Sequence, residues 1–338
     1  MAAQTINSGS LPQFTDLVER NFMDTLESMP QVMRTSGLVV EDPLAQNTGE
    51  FKRYAERLHR NQYGFTRDEG DTAQQAKVQY GYEKDLQVHT VSLEVSITKR
   101  MRVAGKDQNI IDAVTNLGTV CPDSIDLDLS HRLTFAFDTS YTDRSNDTID
   151  TTIGDGLAWA SAVHTLTGSA TTYNNIITGN PQFSKAALEN AQKLAVEESF
   201  NNLGEKMVVN CNIIFSTDDP NTCNQIKELL RATADVASDN SGTFNVYSNA
   251  LRHVEIPRIA TTAAGWVDTT KRKYWGIFSG TDSDFYFASL ESPYLKTPTD
   301  GNNGEDFSSE NWNYLAGTTY GIAIVTGRAI KISKGDGS

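Results

Sequence analysis

The alternation of apolar and polar positions predicts a chain of both helices and strands. Over residues 11–29, Leu11, Phe14, Val18, Phe22, Leu26 and Met29 recur at helical spacing; Ser10 stands where a cap belongs, Pro12 in the first turn and Pro30 at the end. Residues 36–46 read as an extended stretch. The cleanest strand signal is 87–103, where Val91, Leu93, Val95, Ile97, Met101 and Val103 alternate with polar residues. At roughly 3.3 Å per residue such a strand reaches about 50 Å, which suits a ribbon leaving the body better than an interior strand. A helix is expected from near Asp107 and a second, long one over 123–141, with Pro122 at its entrance, acids in its first turns, and Ile125, Leu129, Leu133 and Ala136 or Phe137 on one face. Residues 143–182 read as loops with short strands around 157–163. A Ser-capped helix over 184–200, a strand over 207–215 and a helix near 219–235 follow. Short strands are expected at 244–247, 254–259, 274–278 and 285–290, and one strand or a pair at 320–333. The whole is mixed α+β without an internal repeat.

Residues 50–85 break this pattern. They have little periodicity and are rich in Arg, Lys, Gln, Gly and Tyr. A long polar excursion inside a compact chain marks a functional or binding segment. Its aromatics, Phe51, Tyr54, Tyr63, Phe65, Tyr80 and Tyr82, have no local apolar face to join, as in an interface segment before its partner arrives; the alternative is a β-hairpin covered by its own domain. A second polar excursion spans 296–311.

Charge sharpens the contrast. The net formal charge of the 338 residues is −14. Residues 1–49 carry two basic and six acidic side chains, 50–106 eleven and eight, and 107–338 sixteen and twenty-nine. A basic segment beside an acidic body suits contact with another copy of the chain, although a difference of a few charges also arises by chance. The acidic total argues against a dedicated DNA-binding protein, which needs clustered cations, and leaves open a container that encloses DNA. Cys121, Cys211 and Cys223 form no C-x-x-C pair or disulfide framework and read as reduced and inert. The first residues carry neither a basic nor an apolar signal region, and no apolar run is long enough to span a membrane.

Catalytic motifs are absent: no dinucleotide or phosphate-binding glycine loop, no H-E-x-x-H, no G-x-S-x-G. His59, His89, His131, His164 and His253 are far apart. Cys211 and Cys223 with a distant His form a remote zinc option, weighed against packing as small apolar residues. The 300–306 acids and glycines lack EF-hand spacing, and the Asp218–Asp219 pair has no hydrolase context. No catalytic, cofactor or metal residue is expected.

The order of features resembles the major capsid proteins of tailed bacteriophages with the HK97-like fold, including the Mu-like branch, over nearly the whole chain. FTDLVERNFMDTLE resembles the family's N-arm, residues closing on VSLEVSITKRMRV its E-loop, and 123–141 its spine helix. GDGLAWASAVHTLTG, with Leu157, Trp159, Ala162 and His164, and ATTYNNIITG resemble the stretch that follows. SKAALENAQKL, GEKMVVNCNIIFSTDDPNTCNQIKELL and WNYLAGTTYGIAIVTGRAIKISKGDG resemble the helix, the A-domain entry and the returning strand. The resemblance implies an N-terminal arm over 1–49, an E-loop over 50–104, a P-domain over 105–180, an A-domain mainly over 181–295 and a return to the P-domain over 296–338. It implies a homo-oligomer of hexamers and pentamers in an icosahedral shell, located in the virion and assembled in the host bacterial cytoplasm. Double-stranded DNA is enclosed without sequence readout, and neither a cofactor nor a membrane is involved. A separate scaffolding protein is expected, because about ten residues precede the arm where family members often carry a helical segment. A portal and a decoration protein complete the partners. Some members crosslink an E-loop Lys to a distant Asn; Lys77 and Lys84 lie in that region, many residues qualify as the Asn, and the residues alone do not predict the crosslink. The inter-subunit contacts expected are Phe65, Arg67, Asp68, Glu69, Asp71 and Tyr80, with the acids facing Lys or Arg on the adjoining subunit. The same-fold alternative is an encapsulin-like compartment, and the different-class alternative a carboxylate-dependent hydrolase.

Overall fold

The computed structural model describes residues 11–42, 51–56, 63–75, 80–105, 107–234, 244–298 and 311–337. In chain order its elements are α1 (Leu11–Ser28), α2 (Val32–Thr35), β1 (Val40–Glu41), β2 (Phe51–Ala55), β3 (Glu83–Gln87), β4 (His89–Ile97), α3 (Lys99–Val103) and α4 (Asp107–Thr134). Then follow β5 (Ser140–Thr142), β6 (Thr148–Asp150), β7 (His164–Leu166), β8 (Ser169–Tyr173), α5 (Lys185–Glu197), β9 (Ile213–Ser216) and α6 (Pro220–Arg231). β10 (Arg252–Glu255), β11 (Trp275–Phe278), β12 (Phe285–Lys296), β13 (Trp312–Ile324) and β14 (Ile330–Ser333) complete the chain. The Ser10 cap, Lys77 and most of the 296–311 excursion lie outside the described residues.

Two four-stranded sheets carry the body, one ordered β1-β12-β13-β4 and the other β10-β9-β11-β14. Both faces of the second sheet are covered, so its strands do not show the alternation of a half-wet sheet. Ile213, Phe215, Phe278, Ile330 and Ile332 face the main core, while Ile214, Trp275 and Ile277 pack under α5 and α6. Ser184 caps α5 by accepting from Ala187 N, as the sequence led us to expect, and Asp219 caps α6 by accepting from Thr222 N. The 207–215 strand shrinks to Ile213–Ser216, and 244–247 is not a strand.

The central helix corrects the sequence reading. One 28-residue helix, α4, runs through Pro122, where two helices were expected, and it ends at Thr134 instead of Tyr141. Proline removes a donor and clashes with the preceding turn, a cost of about 3 kcal/mol in a helix interior. A buried stripe on both sides offsets it. Ile110, Val114, Leu117 and Cys121 pack with Val18 and Phe22 of α1, and Ile125, Leu129 and Leu133 continue into the main core. The chain then tightens, with Phe135 N donating to His131 O and Ala136 N to Leu133 O. Arg258 bonds Asp123 at 2.5 Å and Asp126 at 3.1 Å, pinning the 257–259 turn to the helix.

The long strand is corrected too. β4 stops at Ile97, because Met101 N turns back to Thr98 O and the Lys-Arg-Met-Arg run forms α3. β4 is an edge strand of the first sheet, paired to β13 from His89↔Tyr320 to Ile97↔Trp312, and is not a free ribbon.

One buried charge gives a pH test. Lys331 on β14 is fully buried, its Nζ 3.3 Å from Asn174 O and 3.4 Å from Glu198 O. Burial pushes its pKa down from 10.5 to about 8. Between those values the unfolded chain binds more protons, so this residue makes stability rise with pH from about 8 to 10.5 and contributes no slope below 8. Lys331→Met is expected to be more stable than wild type at pH 7 by about 2–3 kcal/mol, and the gap should close as pH approaches 10. Urea denaturation of both proteins at each pH checks this, since the tyrosines titrate alike in both; a gap independent of pH contradicts it.

Candidate assembly surface

The segment between β2 and β3 has a root and a projecting part, and they differ physically. At the root the two strands pair antiparallel from Phe51↔Gln87 to Ala55↔Glu83. They cover the outer face of the first sheet, where Tyr54 stacks on Tyr286 at 4.3 Å and Leu86 is fully buried beside Ala288, Ala323 and Val325. Lys52 bonds Asp42 at 2.5 Å, Arg53 bonds Asp85 at 2.7 Å and Lys84 bonds Asp150 at 2.6 Å. The hydrogen bond from Lys52 holds the Asp42 carboxyl below its usual pKa. Arg53–Asp85 is a cross-strand pair and the other two tie the root to neighbouring segments; being at least partly solvated, each contributes little to stability. The expectation that all six aromatics lack cover is thus corrected: Tyr54 belongs to the chain's own core, as the hairpin alternative had it.

Beyond the root the cover ends. Tyr63, Phe65 and Tyr80 are 54%, 56% and 80% exposed. Arg67, Asp68, Glu69 and Asp71 are exposed as well. The last four sit together at a reversal, where Asp71 N donates to Asp68 O at 3.2 Å and Gly70 takes φ +90°, a left-handed conformation that suits glycine. Phe65 lies on the outgoing limb and Tyr80 on the return. The Tyr63 hydroxyl donates to Lys206 O at 3.0 Å, one tie to the body. Within one chain these residues present their side chains outward.

Beside the root lies a groove of about 1140 Å³ between β4, α4 and the β5–β6 hairpin, lined by Lys84, His89, Leu93, Asp128, Arg132 and Arg144 among others. Its charges are largely satisfied within the chain. Arg144 bonds Ser124 Oγ at 3.0 Å and Arg132 bonds Asp150 O at 2.7 Å. Asp128 accepts from the Tyr320 hydroxyl and lies 3.9 Å from His89 Nε2. Burial pushes the Asp128 carboxyl up, but these hydrogen bonds win and hold it below its usual pKa.

Two pairs missed in the sequence look like acid–base machinery and are placed where they cannot act. His164 Nδ1 is 2.7 Å from Asp155, but its Nε2 faces Trp159 O, its ring stacks on Tyr173 at 4.9 Å, and it is fully buried. Ser216 Oγ is 2.8 Å from His253 Nε2, yet Ser216 has no exposed surface. A nucleophile needs room for the atom it attacks. The three cysteines are free, and burial pushes the thiols of Cys121 and Cys211 up to about 11, far from thiolate chemistry. Among the described residues no group of three His, Cys, Asp or Glu side chains converges as a metal site, and no helix is long and apolar enough to cross a membrane.

No protein-family model matches the sequence, and no curated protein does. Solved structures do match. A chain from Gordonia phage Cozz is 10% identical, with 90% of this chain and 89% of that one covered and a TM-score of 0.51. A structure described as the capsid of an empty GTA particle is 10% identical over 90% and 89%, with a TM-score of 0.49. The procapsid of bacteriophage JBD30 is 9% identical over 97% and 76%, with a TM-score of 0.47. Of these three the first carries the inference of a shared fold: the chain has the mixed α+β fold of a phage chain across about nine-tenths of its length.

Proposed function

We propose that this chain is the major capsid subunit of a tailed phage, a structural protein that forms hexamers and pentamers of an icosahedral shell around double-stranded DNA. The observation that carries the reading is a well-packed body from which one segment projects with Tyr63, Phe65 and Tyr80 half or more exposed. Exposed aromatics on a rigid root suit burial against a neighbouring copy, where aromatic side chains dominate contact energy. The fold shared with the Gordonia phage chain supports it. In this reading 1–49 is the N-arm, 50–104 the E-loop and α4 the spine of a P-domain; α5, α6, β9, β10 and β11 belong to the A-domain, and 296–338, with β14, returns to the P-domain. The Mu-like branch rests on sequence resemblance alone. Scaffolding, portal and decoration proteins are the further partners proposed. The shell forms in the host cytoplasm and becomes part of the virion.

Electron microscopy of the expressed protein tests this. Closed particles tens of nanometres wide are expected, and a tail vertex in particles from infected cells distinguishes a phage head from an encapsulin-like compartment. A homogeneous monomer in the presence of scaffold overturns the reading. Arg67→Glu is expected to lower particle yield by placing a further negative charge against an acidic body. Salt screens such contacts, so the deficit should shrink between 0.05 and 0.5 M salt, about a threefold change in screening length. A deficit unaffected by salt, measured by sedimentation, contradicts an electrostatic role for this residue.

A further inference from the structure

We infer that Glu56 and Arg328 form a latch fixing the direction in which the projecting segment leaves the body, so that readiness to assemble depends on an intrachain contact away from the exposed tip. This rests on the shell reading above. Glu56 follows the last residue of β2, and Tyr82 precedes the first residue of β3. Between them lies the whole projection.

The Glu56 side chain is fully buried, and that of Arg328 is 4% exposed. One carboxylate oxygen accepts from Arg328 Nη1, and the other accepts from Tyr82 N at 3.0 Å. Glu56 N donates in turn to Tyr82 O at 2.8 Å. A single side chain therefore ties the outgoing limb, the returning limb and the turn between β13 and β14. Arg328 is itself oriented, with Nη2 donating to Asn202 Oδ1 at 2.7 Å and its guanidinium 5.9 Å from the Tyr173 ring centre. Gly81 leaves room for the carboxylate, since a Cβ there would lie 2.4 Å from Glu56 Oε2. The Tyr82 hydroxyl meets Thr165 Oγ1 at 2.6 Å, a further hold on the same limb.

A buried ion pair is a poor way to gain stability, because apolar residues of similar size often hold a fold as well. What the pair supplies is direction. Apolar contact is non-directional, whereas a carboxylate held from two sides admits one placement of both limbs. A segment launched at a fixed angle loses less conformational freedom when it docks on a neighbour. Glu56 and Arg328 act through the exposed aromatics and are positioning residues.

The test uses the full chain as wild type, Glu56→Gln, and the double variant Glu56→Leu with Arg328→Met. Free subunits are followed by thermal melting and by hydrogen exchange over 80–87, and assembly by particle yield. The double variant leaves no unpaired buried charge, but Tyr82 N and Asn202 Oδ1 each lose a partner, so it is expected to melt somewhat below wild type, and yields are compared at matched stability. Its exchange at Tyr82 and its neighbours should rise by about tenfold or more, as local opening becomes easier. Its particle yield should fall several-fold. A purely packing role would move the melting temperature and not the yield at matched stability. The latch is overturned if the double variant melts, exchanges and assembles as wild type does. Should the double variant fail to fold, Glu56→Gln decides by the same exchange readout, with unchanged exchange overturning the latch. If wild type itself forms no particles, the shell reading fails, and exchange in the free subunit still decides the latch.

Discussion

Particles are expected to disappear while subunits stay folded when Phe65 and Tyr80 are both replaced by Ala. Both side chains are more than half exposed and lie outside every buried cluster of the subunit. Their removal therefore opens no cavity in the body, and circular dichroism and melting of the free subunit should match wild type. At an interface, a well-packed aromatic typically contributes about 2 kcal/mol, so losing two weakens each subunit contact by about 4 kcal/mol, on the order of a thousandfold. A shell repeats that loss at every contact. Single variants are expected to reduce particle yield or heat resistance. Sedimentation of the double variant checks the result, and wild-type particle yield would show that these aromatics are not at the interface.

Trp275→Ala is expected to do the reverse and damage the subunit itself. Trp275 lies on β11, between β9 and β14, with no exposed surface. Its ring meets Phe183 edge-on at 5.2 Å, and its Nε1 donates to Pro181 O at 2.8 Å. Truncation leaves a cavity under α5 and removes one of the two hydrogen bonds to Pro181 O, which keeps the one from Ser333 Oγ at 2.8 Å, a loss of about 3–5 kcal/mol against a typical total of about 5–15 kcal/mol. Trp275→Phe keeps most of the volume and should lose less. Urea denaturation reads both; a cost below about 1 kcal/mol for the Ala variant would contradict the packing of the second sheet.

The contrast between these variants follows what could be read in the sequence and what could not. Helices with local signals were legible: Ser184 caps the helical run that follows it. The continuity of α4 through Pro122 was not, because the packing of Leu117, Cys121, Ile125 and Leu129 outweighs a local breaker and is invisible to periodicity cut at the proline. Leu93 alternates correctly with its neighbours yet is 51% exposed, since alternation reports the face of a strand and not whether that strand lies at an edge. The polar excursion was recognised as a unit, but its division into a covered root and an exposed tip depends on β12 and β13, more than two hundred positions away. Nothing in the sequence joins Glu56 to Arg328 across 272 positions, and a lone Glu among basic residues gives no sign of burial.

Hydrogen exchange on free subunits and on assembled particles, compared residue by residue, tests the central claim most directly. The account predicts that 63–75 and Tyr80 exchange quickly in the subunit and become strongly protected in the particle, while β3 and β11 are protected in both. Equal protection of 63–75 in the two states, whether high or low, would contradict it: the projecting segment would then not be what one copy places on the next.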